Sequence, residues 1–296
     1  MNSKRSWARA FAGRELAIAT MHGKERVLAP LLEETLGVRC CLPGQGGRAP
    51  LDTDAFGTFR GDVPRQGTPR EAARRKAIAA MACASVDLAV ASEGTFAPHP
   101  DVPMLTIGRE LVLLVDRGRE LEIEGHDVTD QTNHTSRMCG DVDAAFAVAN
   151  RVGFPDHNVI LTVGTPPQLV GQDLRDHESL AAAFDAALAS IAADEERAVR
   201  VASDMRADRN PTRMKAIDRA ARDLLKRAAT PCPECAAPGF GRVDVLRGLP
   251  CELCGLPTEW VRAELHACFC CEAKREMPRR DGRSTVDPGS CRGCNP

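Results

Sequence analysis

Eight cysteines among the last 65 residues form four C-x2-C pairs, which are Cys232/Cys235, Cys251/Cys254, Cys268/Cys271 and Cys291/Cys294. Two cysteines separated by two residues on a tight turn direct both thiolates at one point. Two such turns supply the four sulfur ligands of a closed tetrahedral zinc site. Fifteen residues separate the first pair from the second, and nineteen separate the third from the fourth; both gaps fit the spacing of zinc ribbons. The sequence therefore predicts two structural zinc ions.

The pairing of these knuckles stays open at this stage. Sequential pairing satisfies the spacing rule, and an interleaved arrangement does not violate it. Cys270 is a ninth thiol that could replace a neighbour. A disulfide framework is the alternative, and it requires an oxidising compartment. A four-thiolate zinc site has no open position for substrate, so the metals are expected to fold a small module rather than to catalyse a reaction.

Composition limits the classes of function. The chain has 296 residues and a net charge of −2, so no overall field attracts nucleic acid or an acidic membrane. Aromatic residues make up 4% and tyrosine is absent, which disfavours a base-stacking platform. No apolar run reaches the roughly 18 residues of a membrane span, and the basic N-terminus lacks the apolar core of an export signal. We expect a cytoplasmic protein without a membrane partner, whose thiols stay reduced.

Hydrophobic periodicity predicts an α/β domain over residues 1–170, with a mixed sheet. Strands are expected at 15–20, 38–42, 87–91, 110–116, 119–124 and 158–163, and helices at 28–36, 68–84 and 141–152. The polar segments 43–67 and 92–103 are expected to be loops. Two apolar stripes, one from Phe184 to Met205 and one from Met214 to Leu225, predict a helical hairpin over 171–229. The zinc-ribbon-type module then occupies 230–296.

Three short segments of the first half carry residues suited to phosphate chemistry. Lys24 follows the first strand at the start of a helix, where backbone N–H groups favour an anion. Glu71 and Lys76 share a helix, and Glu93 lies between Ser92 and Gly94 after a strand. Carboxylates can hold Mg²⁺ while the metal and lysines neutralise phosphate oxygens. These segments predict a cleft with Mg²⁺ at Glu71 and Glu93.

The order and spacing of these segments resemble the inosine/xanthosine triphosphate pyrophosphatase superfamily. The relevant segments are Thr20-Met21-His22-Gly23-Lys24, Glu71-Ala72-Ala73-Arg74-Arg75-Lys76-Ala77 and Ser92-Glu93-Gly94-Thr95. The resemblance covers residues 15–96 and implies that Lys24 and Lys76 contact phosphates and that Glu71 and Glu93 hold Mg²⁺. It also implies that Thr20, Ser92 and Gly94 line the ligand site. Met21 and Ala72 replace asparagines that the superfamily uses near the nucleotide.

The chain as a whole also resembles a bacterial family of unknown function. The segments that carry this likeness are ASEGTFAPHP at 91–100, NPTRM at 210–214 and the final CxxCNP. This resemblance implies no particular activity.

Each candidate residue also has a purely structural interpretation. Glu71 completes a capping box with Thr68, and Lys24 could be an ordinary surface lysine. His99, between two prolines, could approach the cleft or face solvent. The basic residues between the last two knuckles (Lys274, Arg275, Arg279, Arg280 and Arg283) could contact nucleic acid or form a solvated loop.

Two hypotheses about function follow, and the sequence leaves it open whether the protein is an enzyme. The first is a Mg²⁺-dependent hydrolase of a nucleoside triphosphate or related phosphoanhydride, with a structural zinc module. The second is a non-enzymatic zinc-binding protein, in which a degenerate nucleotide-fold domain binds nucleotide, nucleic acid or protein. In either case the zinc module is a candidate surface for a protein or nucleic-acid partner.

Overall fold

A computed structural model of the protein describes residues 10–58, 63–99, 102–192 and 197–295. The described chain forms two compact units. The larger contains Phe11–Gly118 and Glu124–Leu225, and the smaller contains Ala10, Arg119–Ile123 and the chain from Lys226 onward. The first boundary predicted from sequence, at residue 170, falls inside the larger unit.

The first sheet has five strands in the order β2-β1-β3-β4-β5. The strands are β1 (Glu15–Ala19), β2 (Arg39–Cys41), β3 (Leu88–Pro98), β4 (Thr106–Asp116) and β5 (Leu121–Thr129). Strand β1 runs parallel to β2 and β3, whereas β3 and β4 are antiparallel. This mixed sheet, with helices α1 (Glu25–Leu36) and α2 (Pro69–Ala84) between its strands, confirms the prediction of an α/β domain.

Helix α2 packs against the sheet through small side chains. Ala73, Ala77, Ala80 and Met81 are fully buried against alanines of β1 and β3, as the sequence predicted. Alanine is compact and has the highest helix propensity, so the helix approaches the strands closely without losing stability. The helix begins at a capping box in which Thr68 and Glu71 satisfy each other's backbone N–H groups.

Strand β3 is longer than the sequence predicted. The segment Ser92–Pro98, expected to belong to a loop, continues the strand and pairs residue by residue with Thr106–Val112 of β4. Its polar residues suggested a loop, but Ser92 and Glu93 are buried and Glu93 has charged partners. Tertiary pairing therefore overrides the local polarity.

The second sheet is antiparallel, in the order β6-β9-β7-β8. Its strands are β6 (Ser136–Cys139), β7 (Val159–Val163), β8 (Gln168–Gly171) and β9 (Val199–Ser203). Helices α3 (Val142–Val152) and α4 (His177–Ser190) cover it and bury Leu180 and Phe184. The helix and strand predicted at 141–152 and 158–163 are confirmed as α3 and β7.

The helical hairpin predicted over 171–229 is wrong. Helices α4 and α5 (Pro211–Ala228) exist, but strand β9 lies between them and pairs with β6 and β7. Ala198 and Ala202 fit a helical stripe, yet Val199, Val201 and Ser203 alternate inward with the period of a strand. Helix α5 begins just after Asn210, whose side-chain Oδ1 accepts a hydrogen bond from the Arg213 N–H at 3.0 Å.

The C-terminal module is a three-stranded antiparallel meander. Its strands, β10 (Gly241–Arg247), β11 (Val261–Ala267) and β12 (Lys274–Pro278), lie in that order and alternate with the four knuckles. A small apolar cluster around Ala237 and Phe240 packs beside the cysteines. Among the described residues, no helix is both long and apolar enough to cross a membrane.

Candidate metal centres and candidate binding cleft

The eight paired cysteines form two tetrads. Cys232, Cys235, Cys268 and Cys271 make one, and Cys251, Cys254, Cys291 and Cys294 make the other; within each, the sulfurs lie within 4.8 Å of one another. Four Sγ–Sγ distances between knuckles are 3.6 and 3.7 Å in the first tetrad and 3.7 and 3.9 Å in the second. A disulfide would bring two sulfurs to about 2.05 Å. A metal–sulfur bond of about 2.3 Å instead gives a tetrahedral edge of about 3.8 Å. Each tetrad therefore has the dimensions of a site that could hold a metal ion.

The tetrads resolve the pairing that the sequence left open. The first knuckle joins the third and the second joins the fourth, so the arrangement is interleaved. The antiparallel meander is the reason. The start of β10 lies beside the end of β11 and the start of β12, which brings knuckles one and three to the same end of the sheet. Knuckles two and four meet at the other end, where Val286 pairs with Cys251.

Backbone N–H groups surround the thiolates. The Glu234 N–H points at Cys232 Sγ at 3.4 Å, and the Cys270 N–H points at Cys268 Sγ at 3.3 Å. The Gly293 N–H is the main cause that lowers the pKa of the Cys291 thiol to about 7, whereas the neighbouring thiol of Cys254 is the main cause that raises the pKa of Cys294 to about 12. Cys270 is exposed and belongs to neither tetrad.

A cleft opens in the larger unit where β1 ends and its parallel pairing with β3 stops. Ala19, the last residue of β1, pairs with Ala91, so Thr20 and Ser92 both leave this parallel pair at the same edge. This is the edge at which open α/β folds bind ligands. The cleft is lined by His22, Lys24, Thr53, Asp54, Gly57, Thr58, Arg65, Lys76, Glu93, Ile160, Ser203, Asp204, Met205, Arg206 and Arg213.

Glu93 is held between two cations. Its side chain is 5% exposed and forms ion pairs with Lys76 Nζ and, at 3.1 Å, with Arg65 Nη2. Side chains alternate along β3, so Glu93 lies on the same face as Ala89 and Ala91, which pack on α2. Lys76 of α2 can therefore reach Glu93. Arg65 also donates to the Gly94 carbonyl at 2.7 Å. The structure thus brings together Glu93 and Lys76, as predicted, and adds Arg65.

Lys24 lies at the N-terminal cap of α1 and is buried, with 8% of the residue exposed. Its ammonium group donates to the Ser92 carbonyl at 3.3 Å. Burial is the largest cause of a lowered pKa, and the neighbouring Arg213 and Lys76 lower it further, to about 7. Lys24 is therefore a cleft residue and not a surface lysine.

A second buried ion pair lies beside the first. Arg213 of α5 contacts Glu110 of β4, and the Arg213 guanidinium also donates to the Met205 carbonyl. Gly94 makes room for this pair, since a Cβ there would lie 2.4 Å from Glu110 Oε1. The predicted role of Gly94 in ligand binding has no contact that tests it, whereas its packing role is visible.

The second sheet contributes charges that no sequence motif indicated. Asp204 follows β9 and pairs with Arg206, which also reaches Asp173 at 2.9 Å. On the opposite side, His22 Nε2 lies 2.9 Å from Asp54 Oδ1. These residues come from separate loops, so only the three-dimensional fold places them around one cleft.

The remaining predicted residues have local roles. Glu71 is exposed and accepts from the Thr68 N–H at 2.7 Å, so the capping-box interpretation is confirmed. Thr20 Oγ1 accepts from the His22 N–H at 3.2 Å. Ser92 Oγ is buried without a hydrogen-bond partner among the described residues. Apart from the cysteines, no group of three or more metal-ligating side chains occurs in the described chain.

Two of the weaker candidates also have visible surroundings. His99 Nδ1 accepts from the Val102 N–H at 3.2 Å. In the basic cluster, Arg275 pairs with Glu234 and Arg279 pairs with Asp281. Arg283 also lies 3.9 Å from Asp281, so acidic neighbours accompany at least three of these five basic residues.

Comparison with protein-family models matches residues 76–296 to the family described as "Domain of unknown function (DUF6671)". The match includes Lys76, Glu93 and all eight paired cysteines, whereas Thr20, Lys24 and Glu71 precede it. A comparison with curated proteins finds no match. The resemblance to the inosine/xanthosine triphosphate pyrophosphatases therefore stays a prediction.

Proposed function

Because the chain belongs to the DUF6671 family, whose description assigns no activity, we propose a function from the geometry of its own cleft. The cleft binds a phosphoanhydride such as a nucleoside triphosphate and hydrolyses it with Mg²⁺. The C-terminal module holds two structural zinc ions.

The observation that carries this proposal is the excess of cations in the cleft. Besides Lys24, whose lowered pKa favours the neutral amine, four cationic side chains line it (Arg65, Lys76, Arg206 and Arg213) against three carboxylates, Asp54, Glu93 and Asp204. Guanidinium groups match the geometry of phosphate oxygens, and lysines supply compact point charges. The surrounding burial reduces screening, so these charges act more strongly on an anion than they would at the surface.

Glu93 is the residue that fits Mg²⁺ best. Protein sites for Mg²⁺ commonly supply only one or two carboxylates, and the substrate phosphates complete the coordination. A bound Mg²⁺ would neutralise phosphate oxygens and lower the pKa of a water molecule. Lys76 and Arg65, which neutralise Glu93, are positioned to bind and orient phosphate oxygens beside it. Glu71 has no part in this proposal, because its carboxylate caps α2.

The surroundings of Glu93 and Glu71 also support a second function, in which the cleft binds a ligand without turnover. Both oxygens of Glu93 already face cations, and the second predicted metal ligand is committed to a helix cap. A site of this kind can hold an anionic ligand through Arg65, Lys76 and Arg213 without any metal.

Zinc is the metal that suits the two tetrads. Four thiolates at tetrahedral separations, on knuckles too small to bury a core of their own, are typical of structural Zn²⁺. The small apolar cluster beside the first tetrad leaves most of the folding energy of this module to its metals.

The two functions separate in one experiment. Binding of a nucleotide panel is measured by calorimetry, and release of phosphate or pyrophosphate is measured with and without Mg²⁺. Arg65→Met should weaken binding at least about tenfold, since a charge-assisted contact is worth about 1.5–3 kcal/mol. Arg39→Met, an exposed arginine on β2, serves as the control. Binding without Mg²⁺-dependent release would establish the second function, and absence of binding would exclude both.

A further inference from the structure

Lys24 differs from the other buried lysine of the cleft in having no counterion. The chain contains six lysines, and two of them, Lys24 and Lys76, are at most 8% exposed. Lys76 pairs with Glu93. Among the described residues no carboxylate forms an ion pair with Lys24, and its hydrogen bond goes to a backbone carbonyl.

The charges that face Lys24 come from four elements. Lys76 of α2 and Arg213 of α5 repel a positive charge on it, whereas Glu93 of β3 and Glu110 of β4 attract one. Each of these carboxylates already has a closer cation of its own. Desolvation and adjacent cations both favour the neutral amine, which is the nucleophilic form of lysine.

We propose that Lys24 is a nucleophilic amine that forms an imine with an aldehyde or ketone bearing a phosphate group. The proposal rests on the anion-binding cleft for recognition of the phosphate, and it adds a covalent step that hydrolysis of a phosphoanhydride does not need. Arg65, Lys76 and Arg206 supply the phosphate contacts beside the amine.

The step balances without an oxidant or a reductant. The lone pair of Lys24 Nζ attacks the carbonyl carbon while the carbonyl oxygen takes up a proton, which gives a carbinolamine. Loss of its hydroxyl group as water, with the proton from nitrogen, forms the C=N bond. Water is the only other product, and its return reverses the reaction.

Pyridoxal 5′-phosphate is a suitable probe because it combines an aldehyde with a phosphate. The full-length protein is incubated with the probe near pH 7.5, the imine is reduced with borohydride, and labelled peptides are located by mass spectrometry. An exposed lysine with a pKa of about 10.4 is roughly 0.1% neutral at this pH. Lys24 should therefore be labelled at least about tenfold faster than the exposed lysines Lys215, Lys226 and Lys274.

Lys76 is the matched internal control, since it has the same burial but a counterion. Equal labelling of Lys24 and Lys76, or labelling of Lys24 no faster than Lys215, would overturn the proposal. Lys24→Arg, checked for folding by circular dichroism, should lose the label because its guanidinium group is not a nucleophilic amine.

Pyridoxal without the phosphate separates the two proposals. If Lys24 reacts and the phosphate accelerates labelling at least about tenfold, imine formation at Lys24 and phosphate recognition by the cleft are both supported. If Lys24 reacts equally with both aldehydes, the amine is confirmed and phosphate recognition fails. If inorganic pyrophosphate binds to the protein but Lys24 stays unlabelled, the imine proposal fails and the anion-binding cleft stands.

Discussion

Arg213 and Glu110 are 103 residues apart in the chain, yet Arg213 Nε donates to Glu110 Oε1 at 2.7 Å and both side chains are at most 2% exposed. The pair connects the first turn of α5 to β4 and passes over the backbone of Gly94. Because both charges are buried, removing one partner leaves the other without compensation, at a cost of about 3–5 kcal/mol.

Gly94→Ala should destabilise the fold through this pair. The added Cβ would lie 2.4 Å from Glu110 Oε1 and 3.0 Å from Arg213 Nη2, so the buried pair has to move. We expect a loss of about 1–3 kcal/mol in the free energy of unfolding, measured with urea. Gly140→Ala is the control, since nothing lies within 4 Å of its Cβ position. Normal stability of Gly94→Ala with weakened ligand binding would instead support the binding role predicted from sequence.

Glu93→Gln should abolish most of the proposed turnover. The change keeps the shape of the side chain but removes the charge, so turnover is expected to fall at least about a hundredfold. It also leaves Lys76 buried without its main counterion, which lowers stability. The double variant Glu93→Gln/Lys76→Met should recover part of the stability but none of the turnover. Wild-type turnover in Glu93→Gln on the best substrate would argue for the non-enzymatic function.

Glu71→Gln distinguishes a helix cap from a metal ligand. The Thr68 N–H is the main cause that lowers the Glu71 pKa, so the carboxylate contributes to stability at neutral pH. This contribution is lost as the pH falls through the lowered pKa. At pH 7 the melting temperature of the variant should be slightly lower than that of wild type, and the difference should be smaller at acidic pH. The variant should keep its ligand affinity. A large loss of Mg²⁺-dependent activity would restore Glu71 as a ligand.

Lys24 should make stability depend on pH. Burial lowers its pKa from the ordinary value of 10.5 to about 7, so between these values the unfolded chain binds a proton that the folded chain does not. The stability of wild type relative to Lys24→Met should therefore rise with pH across this window, and should be lowest below about pH 7. Urea midpoints of both proteins at several pH values measure the difference. Parallel curves would show that Lys24 keeps an ordinary pKa in the folded protein.

The interleaved metal sites predict which cysteine variants lose which ion. Cys232→Ser/Cys268→Ser changes one tetrad and should retain one zinc per chain, whereas Cys232→Ser/Cys251→Ser changes both tetrads and should lose both ions. Sequential pairing predicts the reverse. Elemental analysis of reduced protein gives the stoichiometry, and Cys270→Ser, which changes no tetrad, should keep two ions.

The sequence identified the cysteines that form the two tetrads, because each knuckle is a local feature. A knuckle needs only two cysteines on one turn, and its spacing identifies it without knowledge of the fold. Which knuckles share a metal depends on strands β10, β11 and β12, whose antiparallel order was not predicted. Most elements of the first sheet were also predicted, since buried strands and alanine-faced helices have clear periodicity, but the polar second half of β3 was expected to be a loop.

The cleft could be predicted only in part. Lys24 begins α1, and Glu93 follows the apolar segment that was predicted as a strand, so the alternation of strands and helices indicated an edge of the sheet there. Arg206 and Arg213 follow β9 in the chain, and the sequence analysis had predicted a helix where β9 lies. Without β9 nothing placed these arginines near Glu93, and the excess of positive charge could not be recognised.

The interleaving of the knuckles also determines how the module would respond to a broken backbone. A single protease cut between Leu256 and Trp260 separates the first two knuckles from the last two in sequence. Each metal would still join one fragment to the other, because every tetrad takes two thiolates from each side of the cut. Two bound ions would thus act as crosslinks between the halves of the module, and a chelator would be needed to release the fragments.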